Sequence, residues 1–437
     1  MNSMTAVISE EEEEQRRKYC LAIDYGTGYV KYGMEEDGEP KIIETVGLVI
    51  PDEMKGDLLR KVEDIVVGDA IVSYLPTCNV PHEGLHYPLR HGVVERDNEL
   101  AWRILEKITE HILTTVRSRP TIESDFQGFY VSFSLAAIAS RHMYEGFFEI
   151  FRKFAEMGLV KAVTVLQQPL ATAMASARLV CLVVESGHGN TQIVPIVERI
   201  IRSAIVPLNR GGVNANALTR EILKDAGYGD IALDDEMVRR AKEALGAIPL
   251  DLDRAIEWAK RNPEKARAKA TLFEPALGGE IDLGKRSWER FLIGEFVFNP
   301  EHEIFHSYYK RGFLKPRETS IGDAVFRGTM PLDEAIAESL ERCNPRTQER
   351  MFKEGVIILS GGNMAWRVPR GLKKVAVTAD QKVRHLLRKR GLNIDVELAP
   401  NPLASVWEGC LFYGQNLPLD MEWNWKTLDG WKRFEEA

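Results

Sequence analysis

The chain has 437 residues, of which 44% are hydrophobic and 28% are charged. This length exceeds what one hydrophobic core supports and, with an ordinary composition, predicts a globular protein of two or more domains. The net charge of −8 gives no sign of a basic surface, so we expect no nucleic-acid partner.

The cysteines and the N-terminal segment are typical of a cytoplasmic protein. The five cysteines are scattered and form no CxxC pair, which argues against a disulfide framework. No apolar run reaches the ~18 residues that span a bilayer, so we expect no transmembrane segment. Residues 1–18 carry an acidic run without an apolar core, and we interpret them as a solvated acidic arm rather than a signal peptide.

The first motif in the chain is CLAIDYGTGYVKYGM, residues 20–34. An apolar strand leads into Asp24, and a second strand that contains Lys31 follows a glycine turn. The turn is formed by Gly26, Thr27 and Gly28. Such a turn gathers backbone N–H groups around an anion, Lys31 adds charge for a phosphate, and Asp24 is a suitable oxygen ligand for Mg²⁺ through water. An ordinary hairpin is the alternative interpretation.

Apolar spacing predicts strands and helices through the following region. Strand-like pieces at 42–46 and 48–51 precede a polar helix candidate at 52–62. The further predictions are a helix over 98–115, a strand over 128–135, a helix over 141–157 and a strand over 162–166.

The pattern of the first motif recurs in the middle of the chain. Gln168 opens a small-residue helix over 170–178, and an apolar strand over 180–185 ends in Glu185. A turn with Gly187, His188, Gly189 and Asn190 follows, and the next strand contains Gln192. Because a duplicated unit of this kind is far rarer than a single one, we expect the two hairpins to clamp the phosphates of one nucleotide. Each would supply backbone donors and one carboxylate near a shared Mg²⁺.

Further glycine turns lie in the second half of the chain. Gly211 and Gly212 precede a predicted helix over 215–226, whose N-terminus favours anions. A charged helix is predicted over 234–245, a solvated helical stretch over 251–270 and a hairpin over 276–283. A strand over 356–359 leads into Gly361, Gly362 and Asn363, a loop flat enough to admit adenine or ribose. A plain strand-to-helix connection is the alternative there.

Together these segments resemble the actin superfamily of ATP-binding proteins, and within it the archaeal crenactins most closely. LAIDYGTGYVKYG is similar to the first phosphate loop of actin, and IVVGDA and HYPLRHGVV resemble the segments beside its mobile subdomain. Gln168 and Glu185 stand at the spacing that actin has between its hydrolytic glutamine and the carboxylate of its second phosphate loop. ERFLIGEFVFNP, LSGGNMAWRVP and SVWEGC resemble three further actin segments.

The resemblance implies an α/β fold, namely the two-domain, ribonuclease H-like ATPase fold of actin with four subdomains and a central nucleotide cleft. After the acidic arm over 1–18, subdomain 1 would span 19–45, 87–174 and 405–437, and subdomain 2 would span 46–86. Subdomain 3 would span 175–209 with 301–404, and subdomain 4 would span 210–300. The chain's C-terminal segment would thus return to the first domain.

The resemblance also implies ATP or ADP and Mg²⁺ as cofactors. Asp24 and Glu185 would hold Mg²⁺ through its waters, and Gln168 would position the attacking water, with Gln192 beside it. Phosphate contacts are implied for Gly26, Thr27, Gly28, Lys31, Gly187, His188, Gly189, Asn190, Gly211 and Gly212. Nucleoside contacts are implied for Arg239, Lys242, Glu243, Gly361, Gly362, Asn363 and Met364.

Three of these positions depart from actin. Glu185 stands in place of an aspartate, His188 in place of a second aspartate, and Gln192 in place of the histidine that helps to order the hydrolytic water. These departures predict ATP binding with slow hydrolysis.

The implied function is a cytoplasmic, cytoskeletal ATPase that polymerises head to tail into filaments, with accessory filament-binding proteins as further partners. Residues 301–330 match a region that supplies subunit contacts in actin. Within this region Phe313 and Leu314 are predicted to project into a neighbouring subunit, and local packing is the alternative. The alternative function is a sugar-type kinase of the same superfamily, although the first domain shows no convincing substrate-loop aspartate.

Overall fold

The computed structural model describes residues 9–50, 64–71, 84–272, 280–321 and 324–434. These residues form a mixed α/β protein with several sheets. They group into two compact units, one that ends at Ala177 and resumes at Ala404, and one that runs from Arg178 to Leu403. The polar helix predicted over 52–62 lies outside the described residues.

Strands and helices alternate along much of the described chain. In chain order, the strands are β1 (Cys20–Tyr25), β2 (Tyr29–Gly33), β3 (Lys41–Glu44), β4 (Gly47–Val49), β5 (Ile65–Val67), β6 (Leu85–His86), β7 (Phe129–Leu135), β8 (Val160–Gln167), β9 (Val180–Ser186), β10 (Thr191–Val197), β11 (Arg199–Ile200), β12 (Val206–Leu208), β13 (Lys269–Thr271), β14 (Glu280–Asp282), β15 (Thr319–Ile321), β16 (Ala324–Phe326), β17 (Val356–Ser360), β18 (Asp395–Leu398) and β19 (Lys432–Arg433). The helices are α1 (Glu10–Lys18), α2 (Glu99–Arg117), α3 (Arg141–Glu156), α4 (Gln168–Ala175), α5 (Gly212–Asp225), α6 (Asp235–Leu245), α7 (Leu252–Arg261), α8 (Pro263–Ala266), α9 (Arg290–Glu295), α10 (Phe305–Lys310), α11 (Leu332–Glu341), α12 (Pro345–Glu354), α13 (Ala379–Lys389) and α14 (Ser405–Asn416).

The first unit is built on a sheet of strand order β19-β8-β7-β1-β2-β3. Strand β1 lies at its centre, antiparallel to β2 and parallel to β7. Every residue of β1 and β7 is buried, which agrees with their continuous apolar character, because central strands of such sheets are covered on both faces. Helices α4 and α14 pack on each other, and α14 also packs on β1.

The second unit repeats this arrangement with different strands. Its sheet has the order β11-β10-β9-β17-β18, and β12 also pairs with β10. Strand β9 is antiparallel to β10 and parallel to β17, as β1 is to β2 and β7 in the first unit. The hairpin that carries a carboxylate and a glycine turn is therefore embedded in the same way in both sheets.

Helix α2 illustrates how local sequence produces these elements. The side chain of Asn98 accepts a hydrogen bond from the backbone N–H of Ala101 and so caps the N-terminus. The buried residues Ile104, Ile108 and Ile112 recur every four positions along one face. The helix predicted over 98–115 is thus confirmed, because its apolar stripe matches the helical repeat.

The expectation of a solvated arm is wrong for the described residues before β1. Ser9 caps helix α1 by accepting a hydrogen bond from Glu12, and acidic residues in the first turn and basic residues in the last turn suit the helix dipole. Arg16 is buried, and its Nη1 atom donates to the carbonyl oxygen of Gly414 at 2.9 Å. The acidic run is therefore the start of a helix that docks on α14.

The helical stretch predicted over 251–270 is only partly correct. Helix α7 ends at Arg261 because Pro263 follows, and proline cannot continue the hydrogen-bond pattern of a helix interior. After the short α8, β13 forms a hairpin with β14, in which Lys269 pairs with Asp282. The hairpin predicted over 276–283 is confirmed only in its second strand, which is β14, because residues 276–279 lie outside the described residues.

The projection of Phe313 from the second unit is also wrong. Its side chain is 7% exposed, stacks on Tyr309 with ring centroids 5.8 Å apart and meets the ring of Phe296 edge-on at 5.4 Å. Leu314, in contrast, is 82% exposed. The two neighbouring side chains therefore have opposite roles, one in the core and one at the surface.

The tryptophan-rich tail docks on its own core. Trp431 is buried against Tyr130, and its Nε1 atom donates to the carbonyl oxygen of Leu417 at 3.2 Å. The rings of Trp423 and Trp425 pack against Phe148. No helix in the described ranges combines the length and apolar character that a membrane span requires.

Candidate functional site

Asp24 is the centre of the site residues in the first unit. It lies near the end of β1, where the sheet register places Lys31 of β2 on one side and Ser134 of β7 on the other. Ser134 Oγ donates to Asp24 Oδ1 at 2.7 Å, and Lys31 Nζ lies 3.4 Å from Asp24 Oδ2. The carboxylate is buried, so these partners stabilise a charge that burial alone would disfavour.

Gln168 joins the same cluster from the start of α4. Its Nε2 atom donates to Asp24 Oδ1 at 3.1 Å and to the carbonyl oxygen of Tyr25 at 3.3 Å. The side-chain amide of Gln168 is uncharged, and its two hydrogen bonds orient it beside the carboxylate of Asp24. The structure thus brings together Asp24, Lys31 and Gln168, three of the residues that the sequence analysis selected.

The first glycine turn is closed at its base. The N–H of Gly26 donates to the carbonyl oxygen of Tyr29 at 3.1 Å. Thr45 holds the turn from the next strand connection, with its N–H on Gly28 O at 3.0 Å and its Oγ1 on Gly26 O at 2.7 Å. The N–H groups of Thr27 and Gly28 donate to no other residue that the structure describes. A turn with two such amides fits a phosphate group.

Glu185 occupies the equivalent position in the second unit. It lies near the end of β9, opposite Gln192 of β10 and Ser360 of β17. Glu185 and Gln192 are both buried. The N–H of Gly187 donates to the carbonyl oxygen of Asn190 at 3.0 Å and closes the second glycine turn.

Asn363 and Gly361 fasten this second turn from the loop after β17. Asn363 Nδ2 donates to Gly187 O at 2.8 Å and to Ser186 Oγ at 3.1 Å. Gly361 has a φ of +91°, and a Cβ atom there would lie 2.1 Å from Ser186 O. Only glycine satisfies both conditions. Asn363 and Gly361 therefore position the turn.

The backbone amides at the N-terminus of α5 are hydrogen-bonded to the second turn. The N–H groups of Gly212 and Val213 donate to the carbonyl oxygens of Gly187 and His188 at 3.0 and 2.9 Å. The N–H of Gly211 donates to Asn214 Oδ1 at 2.9 Å. Because these amides are already hydrogen-bonded, the contribution of Gly211 and Gly212 in this structure is to hold the turn. Among described residues, the N–H of Gly189 has no recorded acceptor, so it fits an anion.

Helix α6 brings a cation to the same turn. Lys242 is buried, and burial lowers its pKa. Burial, and secondarily the charge of Lys242, lowers the pKa of His188 to about 4. The imidazole is therefore neutral at pH 7, and it brings no negative charge to the place where the resemblance to actin would put a carboxylate.

The pKa of His188 predicts a pH-dependent stability. Because the folded pKa lies below the ordinary 6.5, the unfolded chain binds a proton first as the pH falls. The free energy of unfolding should therefore drop between pH 6.5 and about 4, by up to about 3 kcal/mol. Urea unfolding of the wild type and of His188→Asn at pH 7 and pH 4.5 measures the difference. His306→Asn, at an exposed histidine, is the control; equal pH dependence in all three proteins would contradict the prediction.

Three of the predicted nucleoside residues have other partners in the structure. Arg239 forms ion pairs with Glu236 and Glu243 of its own helix, at 2.6 and 3.0 Å. Met364 is fully buried in the apolar core of the second unit, with Val184 and Ile193. The side chain of Met364 therefore does not line a site, whereas Gly362 is exposed.

Thr45 and Ser134 are functional candidates that the sequence analysis missed. Ser134 was visible only as part of the strand predicted over 128–135, and Thr45 only at the end of a strand-like piece. Their contacts with Gly26 and Asp24 connect residues far apart in the chain. No local sequence pattern signals either contact.

Two carboxylates beside the glycine turns, Asp24 and Glu185, are the candidate metal ligands. Within the described ranges, no group of three or more histidine, cysteine, aspartate or glutamate side chains is arranged to hold a metal ion. Asp24 belongs to the first unit and Glu185 to the second. Each carboxylate offers the hard oxygen atoms that Mg²⁺ prefers, and Mg²⁺ usually keeps several waters and takes other ligands from a substrate phosphate.

Comparison with known proteins identifies the family. The actin family model matches residues 16–384. Actin-related protein 3 of Neurospora crassa is 27% identical over 368 residues, which cover 80% of this chain and 74% of that protein. Actin-related protein 2 of Saccharomyces cerevisiae is 25% identical over 354 residues, which cover 78% of this chain and 77% of that protein. The matched region includes both hairpins and the loop after β17, and the chain therefore belongs to the actin family.

Proposed function

We propose that this protein binds ATP with Mg²⁺ and assembles head to tail into filaments, with slow hydrolysis of ATP to ADP and phosphate. The observation that carries the proposal is the duplicated hairpin. In each unit a buried carboxylate precedes a glycine turn, and the strands around it have the same directions. Membership of the actin family supports the same conclusion.

Each of the two turns is a proposed phosphate site. The backbone amides of Thr27 and Gly28 have no acceptor among the described residues, and together with the charge of Lys31 they suit a polyphosphate. The second turn offers the amide of Gly189 and, through α6, the buried Lys242. Binding of phosphate would draw Lys31 away from Asp24 and leave that carboxylate for Mg²⁺. We propose that the loop with Gly361, Gly362 and Asn363 lies on the nucleoside side, with Lys242 and Glu243.

Hydrolysis is proposed to be slow for a chemical reason. Phosphoryl transfer depends on the placement of water and on charge stabilisation. Gln168 is held beside Asp24 at 3.1 Å and can hydrogen-bond a water without carrying charge. On the other turn, His188 is neutral at pH 7 and Gln192 is uncharged. Neither is a strong base that would activate the attacking water.

Gln168→Ala tests the hydrolytic role. The change should slow phosphate release about tenfold or more in a single turnover, because the water loses its hydrogen-bond partner. The affinity for ATP should stay within about threefold of wild type, since Gln168 contacts Asp24 and the carbonyl oxygen of Tyr25 and supplies none of the backbone amides proposed to bind phosphate. Gln167→Ala is the matched control, because Gln167 donates to Tyr144 Oη at 3.3 Å instead. Equal single-turnover rates for wild type and Gln168→Ala would assign the water to another group.

The proposal of filament assembly is based on an exposed apolar side chain at the surface of the second unit. The exposed Leu314 directly follows Phe313, whose buried ring stacks on that of Tyr309, and it directly precedes Lys315. An apolar side chain presented on a firm support is the usual form of an interface anchor. A head-to-tail contact that does not close into a ring propagates as a filament. A crenactin-like cytoskeletal protein of the cytoplasm, with accessory filament-binding partners, is the form of this function that the sequence resemblance supports.

Three measurements on the purified protein test the proposal. Calorimetry with ATP and Mg²⁺ should detect binding, a phosphate assay should detect slow release, and sedimentation with electron microscopy should detect ATP-dependent filaments. Failure to bind ATP would overturn the proposal. Transfer of the γ-phosphate to a sugar, without sedimenting polymer, would instead identify a small-molecule kinase.

A further inference from the structure

Arg210 is a fully buried cation that no proposed step yet uses. It lies between β12 and α5 and is 0% exposed. Its Nε atom donates to the carbonyl oxygen of Val297 at 2.8 Å, and its Nη1 atom donates to that of Gly328 at 3.0 Å. Among the residues that the structure describes, its Nη2 atom has no hydrogen-bond partner, and no carboxylate pairs with the guanidinium.

Stability alone does not explain an arginine at this position. Burial lowers the pKa of Arg210 to about 9, which reflects the cost of removing its charge from water. Even a buried ion pair can often be replaced by well-packed apolar side chains at no cost in stability, so a buried charge is weak evidence for a stabilising role. A buried donor without an acceptor adds a further cost. The presence of an arginine at position 210 is therefore better explained by the segments that its donors hold in place.

The backbone of Arg210 is fastened to the second glycine turn. Its carbonyl oxygen accepts a hydrogen bond from Thr191 Oγ1 at 3.0 Å, and that hydroxyl lies 2.8 Å from Ser186 Oγ. The next residue, Gly211, is so close to the turn that a Cβ atom there would lie 2.5 Å from the carbonyl oxygen of His188. Movement of the turn therefore has to move the backbone of Arg210 or break these contacts.

The side chain of Arg210 contacts the residues at both ends of one long segment, residues 298–327, which we call the excursion. Its two acceptors, Val297 and Gly328, stand at the two ends of residues 298–327, which hold α10 and the β15–β16 hairpin. The excursion carries the exposed Leu314. One guanidinium thus clamps both ends of the segment that we propose for assembly.

We propose that Arg210 is a positioning residue that couples the second glycine turn to the excursion at 298–327. The proposal rests on the proposed function, because the signal it transmits is the occupancy of the turn by a phosphate. A phosphate that fixes the turn also fixes the backbone of Arg210. The planar guanidinium of Arg210 then holds both ends of the excursion through Nε and Nη1. Its remaining nitrogen, Nη2, allows a different pair of donors to be used when the turn shifts. All the residues involved belong to the second unit.

Hydrogen–deuterium exchange on the monomer tests this coupling. The protein is kept below its assembly threshold, checked by sedimentation, with and without saturating ATP and Mg²⁺. In the wild type, ATP should slow amide exchange in the described parts of the excursion by about fivefold, a typical coupling between two sites. In Arg210→Met, ATP should still bind within about threefold of wild-type affinity, but the ratio of exchange rates should fall to about one.

Two further variants separate coupling from a structural role. Arg290→Met is the matched control: Arg290 is also buried, and its Nε donates to Leu245 O at 2.8 Å rather than to Val297 or Gly328. That variant should keep the wild-type ratio even if it melts at a lower temperature. Arg210→Lys keeps the charge but not the planar fork, so its ratio should lie between those of wild type and Arg210→Met. It also serves if the methionine variant fails to fold.

The possible outcomes distinguish this inference from the function beneath it. Absence of ATP binding by the wild type would overturn both. ATP binding without any change in exchange of the excursion would overturn the coupling alone. The same holds if Arg210→Met raises exchange of the excursion equally with and without ATP, because the arginine would then only hold the excursion in place.

Discussion

Asp24→Asn should weaken the binding of Mg²⁺–ATP about 10- to 100-fold, while the binding of ATP in the presence of a chelator stays within about threefold of wild type. The amide keeps the shape of the carboxylate and can still accept the hydrogen bond from Ser134, which measures 2.7 Å in the wild type. It removes the negative charge that would hold a hydrated metal. The expected loss is therefore specific to the metal. Calorimetry with and without Mg²⁺ measures both affinities.

A carboxylate elsewhere in the same unit provides the control for this change. Asp37 accepts a hydrogen bond from Arg119 at 2.9 Å and takes no part in either glycine turn. Asp37→Asn should lower the melting temperature through the lost ion pair and leave the effect of Mg²⁺ on ATP affinity unchanged. If Asp24→Asn binds Mg²⁺–ATP as tightly as the wild type, Asp24 is not a metal-positioning group.

Leu314→Asp should raise the critical concentration for assembly about tenfold or more. The side chain is 82% exposed in the monomer, so a charge there has little effect on folding. In a filament contact it would place a charge in a desolvated interface, and a loss of ~1.4 kcal/mol at each added subunit raises the threshold tenfold. Sedimentation over a range of concentrations gives the threshold, and thermal unfolding of the monomer should be unchanged.

Substitutions at Phe313 and Leu233 serve as comparisons for Leu314→Asp. Phe313→Ala should have the opposite profile and destabilise the monomer by about 3 kcal/mol, because it empties a packed aromatic cluster. Leu233→Asp changes another leucine of the same unit, 79% exposed but outside residues 301–330, and should leave assembly unchanged. If Leu314→Asp sediments at the wild-type threshold, Leu314 is not part of the subunit contact.

Much of the fold could be predicted because its signals are local. Strands β1 and β9 are short apolar runs that end in a carboxylate and a glycine turn, so both hairpins were correctly located from neighbouring residues. Helix α2 followed from its apolar repeat. Helix α1 was missed because a run of glutamates by itself is typical of a solvated segment. Its helical structure depends also on the basic residues of its last turn and on its docking on α14.

The candidate site could be predicted only in part for the same reason. Asp24, Lys31 and Gln168 were selected from the sequence, and the structure brings them together. Whether Asp24 and Glu185 act on one metal stays a prediction. The side chain of Met364 could not be placed by a glycine-rich pattern, because its burial depends on the core that forms around β9 and β17.

The sequence by itself determined where the two glycine turns and their carboxylates stand, because residues within one hairpin specify strand, turn and charge. Only the tertiary structure decided which distant groups hold them: Ser134 and Thr45 in the first unit, and Asn363 in the second. It also decided that Phe313 is buried beside an exposed Leu314. These outcomes depend on contacts between residues far apart in the chain, and such contacts form only when the sheets assemble and exclude water from the groups between them.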